Sequence, residues 1–288
     1  MKKFFFSFVS GFAKILPLPL KQGLYRFKPL ARLIRGSINA SVGEGLSEVE
    51  IAAGDLQGYK ILLNLKAEKS RWLGTYEPEL AEAVREFVRP GMTVYDVGAN
   101  IGYVSLLLAQ AAGPTGRIFA FEALPANTER IRRNIELNHL AGRIQLVPQA
   151  VADRSAELTF YVHQSVGMGK VAGSAGRPAE QYQAEIQVQS LSLDEFVYQQ
   201  RNPAPQIIKM DIEGGEVLAL PGMKRILQEH HPALLLELHG PESEKVAWET
   251  LTAAGYSLRA MQSGYPRIET PAQLGWKAYL VARVESRE

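Results

Sequence analysis

The chain has 288 residues, of which 46% are hydrophobic and 22% charged, as is typical of a soluble globular protein with one large or two small domains. Its 32 basic and 30 acidic residues leave a net charge of +2 without any block of like charge, so we expect no nucleic-acid partner. It contains no cysteine, which excludes disulfides, thiolate catalysis and cysteine-based zinc sites.

The first 21 residues are rich in aromatic and basic side chains, but Lys14 and Pro17 interrupt the apolar run. That run is too short to span a bilayer, and no small-residue cleavage site follows it cleanly. Three interpretations stay open: an amphipathic helix packed on the main domain or on a second subunit, an interfacial helix, or a signal peptide. We expect a cytoplasmic protein. Residues 1–21 are candidates for weak contact with a membrane surface, and a homo-oligomer is a further possibility.

After Pro90-Gly91 the sequence alternates between strand and helix patterns. Residues 1–46 are predicted to be helical, and residues 47–66 to form a hairpin around Ala53–Gly58. The later predicted strands are 93–97, 117–122, 144–148, 206–212, 233–238, 256–261 and 278–283. The predicted helices are 79–88, 101–112, 125–139, 216–229 and 242–254. Such alternation indicates a parallel sheet with helices on both faces. We place an N-terminal extension at 1–75 and the main domain at 76–288.

Residues 150–200 depart from this alternation. Two additional strands are predicted at 157–162 and 185–190, joined by a polar loop at 166–183 that is either a lid or disordered. The segment from Trp72 through Tyr76 to Glu77 is a second candidate for covering a site.

The most informative stretch is 93–102, in which an apolar strand carries Asp96 and then enters the turn Gly98-x-Asn100-x-Gly102. A second apolar strand ends in Glu122, which could accept hydrogen bonds from ribose hydroxyls. A strand, a glycine turn, a helix and an acid-tipped strand form half of a nucleotide-binding unit.

Asp96 distinguishes between the possible ligands. A carboxylate at the glycine turn would repel the pyrophosphate of a dinucleotide. S-adenosylmethionine (SAM) has an ammonium and a sulfonium and no phosphate, so we predict SAM as the cofactor. The alternatives are a binding protein that keeps SAM without catalysis, and an NAD-dependent oxidoreductase.

The predicted fourth strand of the parallel sheet ends in Asp211, Glu213 and Glu216, at the edge where open α/β sheets bind ligands. The fifth brings Glu237 and His239 to the same edge. We predict Asp211 and His239 as candidate catalytic bases. Glu213 and Glu216 are candidates for acceptor contact. We assign no metal, although Asp211, Glu213, Glu237 and His239 could supply ligands for one.

The residues after the fourth strand also indicate the acceptor. Enzymes that methylate planar amino groups usually carry an Asn/Asp-Pro-Pro-aromatic run there, and this chain has Asp211-Ile-Glu-Gly. The absence of the Asn/Asp-Pro-Pro-aromatic run points to a hydroxyl acceptor.

Several motifs occur in the order found in one family. They are Asp96-Val-Gly-Ala-Asn-Ile-Gly-Tyr103, Phe121-Glu122, Asn134 to Asn138, Val147 to Asp153, and Lys209-Met-Asp-Ile-Glu-Gly-Gly-Glu216. Over roughly residues 76–240 the chain resembles the FkbM-type methyltransferases. One departure is Ala123-Leu124, where the family usually has Pro-Asp. Leu124 could pack on the adenine face.

The resemblance implies a class I, Rossmann-like methyltransferase fold: a doubly wound, mostly parallel seven-stranded sheet with one antiparallel strand, which we expect to be the last. It implies O-methylation of a small-molecule or glycan acceptor. The expected cofactor site comprises Asp96, Gly98, Ala99, Asn100, Gly102 and Tyr103 near the methionine part, Glu122 and Ala123 near the ribose, Ala150, Val151 and Asp153 near the adenine, and Asp211 beside the transferred methyl.

Overall fold

The structure of the protein, a computed structural model, describes residues 45–163 and 168–285. The chain forms two compact units. The first comprises the described residues up to Pro78 with Glu136–Asn138, and the second comprises Glu79–Ile135 with the described residues from His139 onward. The domain boundary predicted after residue 75 stays a prediction.

The predicted N-terminal helix lies outside the described residues except for its last two positions, and so does its predicted contact with a membrane or subunit. Within the described ranges, no helix has the length and apolarity needed to cross a membrane.

The N-terminal unit contains the predicted hairpin. Strands β1 (Ser47–Glu50) and β2 (Lys60–Leu63) pair antiparallel, with Ser47 opposite Leu63. A short helix, α1 (Lys69–Trp72), follows them. The hairpin buries Ile61 and Leu63 completely, because alternate side chains of a strand point to the same face.

The strands of the larger unit are, in chain order, β3 (Thr93–Val97), β4 (Arg117–Phe121), β5 (Ile144–Val147), β6 (Ala150–Val151), β7 (Ala156–His163), β8 (Gly169–Val171), β9 (Tyr182–Leu191), β10 (Ile207–Met210), β11 (Ala233–His239), β12 (Tyr256–Ala260) and β13 (Lys277–Val284). Its α-helices are α2 (Pro78–Phe87), α3 (Tyr103–Ala112), α4 (Pro125–Leu137), α5 (Glu216–Ala219), α6 (Lys224–Glu229) and α7 (Pro241–Ala253).

Seven of these strands form the main sheet in the order β12-β13-β11-β10-β3-β4-β5. All neighbours pair parallel except β13, which is antiparallel to both β11 and β12. The predicted strands of this sheet are confirmed, with ends that differ by at most two residues. The predicted fold class and its single antiparallel strand, the last, are confirmed as well.

The predicted helix 216–229 is interrupted. A 3₁₀ segment, Leu220–Met223, separates α5 from α6. Pro221 has no amide hydrogen to continue the α-helical pattern. Gly222 lies against the neighbouring backbone, where a Cβ would come within 2.3 Å of the Ala152 carbonyl oxygen. The sequence pattern correctly predicted the extent of this segment and missed the break.

Strands β6, β9, β7 and β8 form a second sheet in that order. It contains both predicted additional strands, as β7 and β9, which pair antiparallel. Phe160 and Val188 pack with Leu124 and Ala150 in a small apolar cluster. The second sheet is therefore packed against the segments that follow β4 and β5.

Aromatic side chains fill the core beneath the main sheet. Tyr95, Phe119, Phe121 and Phe196 meet edge to face, with ring centroids 5.0–5.6 Å apart. Such pairs each add roughly 0.5–1.5 kcal/mol beyond the area they bury. The hydroxyl of Tyr95 donates to the Pro203 carbonyl oxygen at 2.7 Å, so its polar end is satisfied.

The carboxyl ends of β3 and β10 approach one another through Gly98. This residue has φ 78°, and a Cβ built on it would lie 1.9 Å from the Asp211 carbonyl oxygen. Only glycine fits there, because any side chain would meet the backbone that follows β10. The glycine motif thus serves strand packing at its first position.

Gly98→Ala should therefore destabilise the protein far more than Gly255→Ala. Gly255 has φ 84° and open space around its Cβ position, so both variants carry a left-handed backbone cost of roughly 1–2 kcal/mol. The clash adds roughly 1–3 kcal/mol at Gly98 alone. Guanidinium unfolding followed by circular dichroism measures the difference. Equal losses of stability in the two variants would contradict the close approach.

Candidate active site

Asp96 is fully buried at the end of β3. Its Oδ2 accepts a hydrogen bond from the Ser105 hydroxyl at 2.6 Å, and its Oδ1 lies 3.4 Å from the Lys209 ammonium. Lys209 is opposite Asp96 in the parallel pairing of β3 and β10 and also donates to the Gly98 carbonyl oxygen at 3.0 Å. The two strand ends are thus joined by a buried ion pair.

This pair corrects one step of the sequence argument. We expected the Asp96 charge to repel a phosphate and to attract a ligand's ammonium. In the structure Lys209 balances that charge, and Asp96 has no exposed surface with which to meet a ligand. The position of Asp96 beside the turn is as expected, but its charge alone does not choose between SAM and a dinucleotide.

Glu122 ties the glycine turn to the second strand. Its Oε2 accepts from the Asn100 amide and its Oε1 from the Leu124 amide, both at 2.8 Å. Asn100 has φ 53°, so the turn places its amide toward the carboxylate. Burial raises the pKa of Glu122 to about 7, although the two amides and the Lys209 charge act in the opposite direction. Its predicted contact with ribose stays a prediction.

The other predicted cofactor residues lie in this turn, at the start of α3, or in the segments after β4 and β5. Gly102 has φ 84° and is the N-cap of α3, which therefore begins at Tyr103. The remaining candidates are mostly buried: Ala99, Tyr103, Ala150 and Val151 are 3–6% exposed, Ala123 is half-buried, and Asp153 is exposed and paired with Arg154. Leu124 packs with Ala150 and Phe160 in the small apolar cluster.

Four carboxylates surround His239, which lies at the end of β11 and is 2% exposed. Its Nε2 lies 3.1 Å from Glu237 and 3.8 Å from Glu213. Its Nδ1 lies 4.0 Å from Asp211 Oδ1 and 4.0 Å from Glu216 Oε1. The structure thus brings together all the acids predicted for this edge of the sheet.

The environment of His239 changes its expected role. Burial disfavours the charged imidazole, but the surrounding carboxylates outweigh burial and raise its pKa to about 10. A histidine that holds its proton at neutral pH is a poor general base. His239 is therefore corrected from a candidate base to a charged partner of the acids. Asp211 remains as the predicted candidate base, and the geometry adds Glu213 as a second one, with 23% and 21% of their side chains exposed.

Glu216 is not exposed to an acceptor in this structure. It is fully buried; its Oε1 accepts from the Ile212 amide at 3.1 Å and its Oε2 from the Ser243 hydroxyl at 3.0 Å. Its predicted contact with the acceptor is therefore corrected: both of its oxygens accept hydrogen bonds from the protein at the start of α5.

The described part of the predicted lid, residues 168–183, makes hydrogen bonds within itself and to the turn after β10. The Lys170 ammonium donates to the carbonyl oxygens of Ser174, Ala175 and Arg177. The Ala175 amide donates to the Gly214 carbonyl oxygen at 2.9 Å, so the loop packs against the turn after β10. Of the two alternatives, a lid or disorder, these contacts favour a cover over the acids.

The other predicted covering residues belong to the N-terminal unit. Trp72 is buried there at 1% exposure. The guanidinium of Arg71 lies 4.0 Å from the ring centroid of Tyr76, and Glu77 has φ 43°. Their predicted role toward an acceptor stays a prediction.

Lys209, Lys277 and Arg177 were missed by the sequence analysis as site residues. Lys277 contacts Glu237, and Arg177 lies 3.5 Å from Glu213. Lys209 had a signal, since it is a single charge inside the apolar run Ile207–Met210. Such a residue is rarely buried unless it is paired.

Residues 96–258 match the family model described as the methyltransferase FkbM domain. The chain belongs to the FkbM methyltransferase family. The match begins at Asp96 and includes Glu122, Asp211 and His239. The predicted family and SAM as the cofactor of this domain are thereby confirmed.

Three curated relatives are similar to the chain. A protein-L-isoaspartate O-methyltransferase of Aeropyrum pernix is 39% identical over 90 residues, 31% of this chain and 33% of the relative. The hexuronic acid methyltransferase AglP of Haloferax volcanii is 24% identical over 181 residues, 63% of this chain and 70% of the relative. The 31-O-demethyl-FK506 methyltransferase FkbM of Streptomyces tacrolimicus is 35% identical over 92 residues, 31% of this chain and 34% of the relative. The chain thus spans about a third of the first and third relatives.

The raised pKa of Glu122 predicts pH-dependent SAM binding. If ribose hydroxyls donate to the ionised carboxylate, as predicted, apparent SAM affinity should fall about tenfold from pH 8 to pH 6. The stability of the fold should change with pH in the opposite direction and increase as the pH falls, because the folded state favours the protonated acid. The contribution of Glu122 is complete below its ordinary pKa of 4.5 and is lost as the pH rises through about 7. Calorimetric titration across this range tests the linkage, and a flat affinity profile would contradict it.

Glu122→Gln should weaken SAM binding by about 1.5–3 kcal/mol for each ribose hydrogen bond lost. The amide group also disfavours one of the two backbone contacts, so some stability is lost too. Glu129→Gln is the matched control, because Glu129 is 77% exposed on α4. If Glu122→Gln binds SAM like the parent and only melts lower, Glu122 is purely structural.

Proposed function

We propose that the protein transfers the methyl group of SAM to a hydroxyl oxygen of a carbohydrate or natural-product acceptor. The observation that carries the proposal is the partly exposed carboxylate of Asp211 beside the glycine turn. The Asp211 amide donates to the Val97 carbonyl oxygen at 3.1 Å, and the Asp211 carbonyl oxygen packs against Gly98. An acid is thus held at the point where β3 and β10 end together.

Methyl transfer from a sulfonium is an in-line displacement. The acceptor oxygen forms a bond to the methyl carbon while the carbon–sulfur bond breaks, and sulfur keeps the bonding pair as a neutral thioether. Alignment of oxygen, carbon and sulfur supplies roughly 7–11 kcal/mol of the barrier reduction. A sugar hydroxyl is a poor nucleophile, so Asp211 or Glu213 takes its proton during attack.

Two further observations support an oxygen acceptor. The turn after β10 lacks the prolines and the ring expected for methylation of planar amino groups. The names of the relatives also favour it: one is an O-methyltransferase, another methylates a hexuronic acid, and a third acts on 31-O-demethyl-FK506. We propose no nucleic-acid partner. The membrane-surface contact of residues 1–21 and the homo-oligomer stay predictions.

Asp211→Asn should separate catalysis from cofactor binding. The variant keeps the shape of the side chain but loses its charge and most of its basicity. We expect kcat to fall by roughly 10²–10⁴ and SAM affinity to change by less than about tenfold. Glu242→Gln, an exposed acid at the start of α7, is the control and should leave both quantities unchanged. Lost SAM affinity with normal turnover at saturation would make Asp211 a cofactor ligand instead.

The acceptor can be sought with methyl-labelled SAM and fractionated cell extract, followed by mass spectrometry of the labelled product. A label on a hydroxyl oxygen supports the proposal, and a label on nitrogen or carbon contradicts it. SAM binding without any labelled product in the fractions would favour the non-catalytic alternative.

A further inference from the structure

A buried nitrogen in the cluster of acids has no hydrogen-bond partner. His239 is 2% exposed, and its Nδ1 is unsatisfied among the described residues. Its Nε2, by contrast, lies 3.1 Å from Glu237. Buried polar atoms are nearly always paired in folded proteins, so an unpaired one at a site needs a physical explanation.

Two carboxylate oxygens face this nitrogen. Asp211 Oδ1 and Glu216 Oε1 each lie 4.0 Å from His239 Nδ1. That distance is too long for a hydrogen bond. Two ligand atoms that each lie ~2.0–2.2 Å from one tetrahedral ion are about 3.4 Å apart, so both oxygens would need to move only slightly closer to Nδ1 for one ion to contact all three atoms. We call the space between these three atoms the gap. Possible ligand atoms of Asp211, Glu237 and His239 all lie within 4.8 Å of one another.

The surroundings also resemble those of a metal ligand. Metal-binding histidines usually direct their second ring nitrogen toward a carboxylate, which fixes the ring and its tautomer. Glu237 occupies that position at Nε2. Glu216 is oriented in turn by the Ile212 amide and the Ser243 hydroxyl. The His239 ring is thus held by a contact on the side away from the gap. The Ile212 amide binds the same Glu216 Oε1 that faces Nδ1, and this oxygen keeps a second lone pair for an ion.

The local charges favour a cation. Arg177 lies against Glu213, and Lys277 contacts Glu237. Asp211 and Glu216 face the opposite side of the imidazole. A divalent ion that replaces the imidazole proton would add one positive charge between these two carboxylates.

We propose that Asp211, Glu216 and His239 bind one divalent transition-metal ion, which displaces the proton of His239 Nδ1 to solvent, with Glu237 orienting the imidazole. A mixed imidazole and carboxylate set suits Mn²⁺, Fe²⁺ or Zn²⁺. Asp211 is partly exposed, so an ion bound to it would lie near the solvent-accessible side of the cluster. The ion would lower the pKa of the acceptor hydroxyl, and Glu213 would receive the proton. This last role rests on the proposed function, whereas the ion site rests on the geometry alone.

Titration with Mn²⁺, followed by the electron paramagnetic resonance signal of the free ion, tests the site. The full chain is first treated with a chelator and dialysed. We expect one bound ion per chain. Asp211→Asn and His239→Gln should each lose it, and Glu237→Gln should bind about 10–100-fold more weakly. Glu242→Gln, which removes an acid of the same charge near the cluster, should bind like the parent.

Thermal melting of each variant separates loss of the ion from loss of folding. Asp211→Asn is the informative variant if His239→Gln fails to fold, because Asp211 is partly exposed. Two results with the variants would overturn the proposal. One is equal Mn²⁺ affinity in the parent and in Asp211→Asn. The other is a loss of Mn²⁺ affinity in Glu242→Gln as large as the loss in Asp211→Asn. A parent that binds no Mn²⁺ would overturn it as well.

SAM titration of the same samples distinguishes this inference from the proposed function. SAM binding without Mn²⁺ binding would overturn the ion site and leave methyl transfer standing. Mn²⁺ binding without SAM binding would support the ion site and refute the proposed function. Methyl transfer that is unaffected by chelation and by added Mn²⁺ would overturn the role of the ion in activating the acceptor.

Discussion

The buried ion pair between Asp96 and Lys209 is the contact on which the rest of the site depends. It joins the ends of β3 and β10, and Lys209 also binds the carbonyl oxygen of Gly98. Removing one partner of such a pair costs about 3–5 kcal/mol, because the other charge stays buried and uncompensated. The glycine turn and the Asp211 backbone can pack closely only while these two strand ends are held together.

The site beyond this pair is built by carboxylates with different tasks. Glu122 uses both oxygens on backbone amides and so holds the turn to the strand that follows. Glu216 and Glu237 are buried and bonded, which orients their neighbours. Asp211 and Glu213 keep part of their surface toward solvent. Burial thus separates the acids that shape the site from those that can meet an acceptor.

Sequence patterns predicted the fold closely and the site partially. The parallel strands were found because each is a short apolar run bounded by glycine, proline or an acid. The acids were found because they follow strands whose carboxyl ends share one edge. Lys209 and Arg177 were missed as partners, since a pattern within one strand or loop does not reveal which charge lies opposite it. For the same reason the roles expected for Asp96, His239 and Glu216 needed correction.

The sequence by itself determined the order of elements, the glycine turn, the acids at the sheet edge and the family, because these follow from local periodicity and motif order. Only the tertiary structure decided which charges are paired, which are buried and which nitrogen is left unsatisfied. These properties depend on distances between residues far apart in the chain, such as Asp96 with Lys209 and Asp211 with His239. A pKa or an ion site is set by those distances and by the water they exclude, and no single segment encodes them.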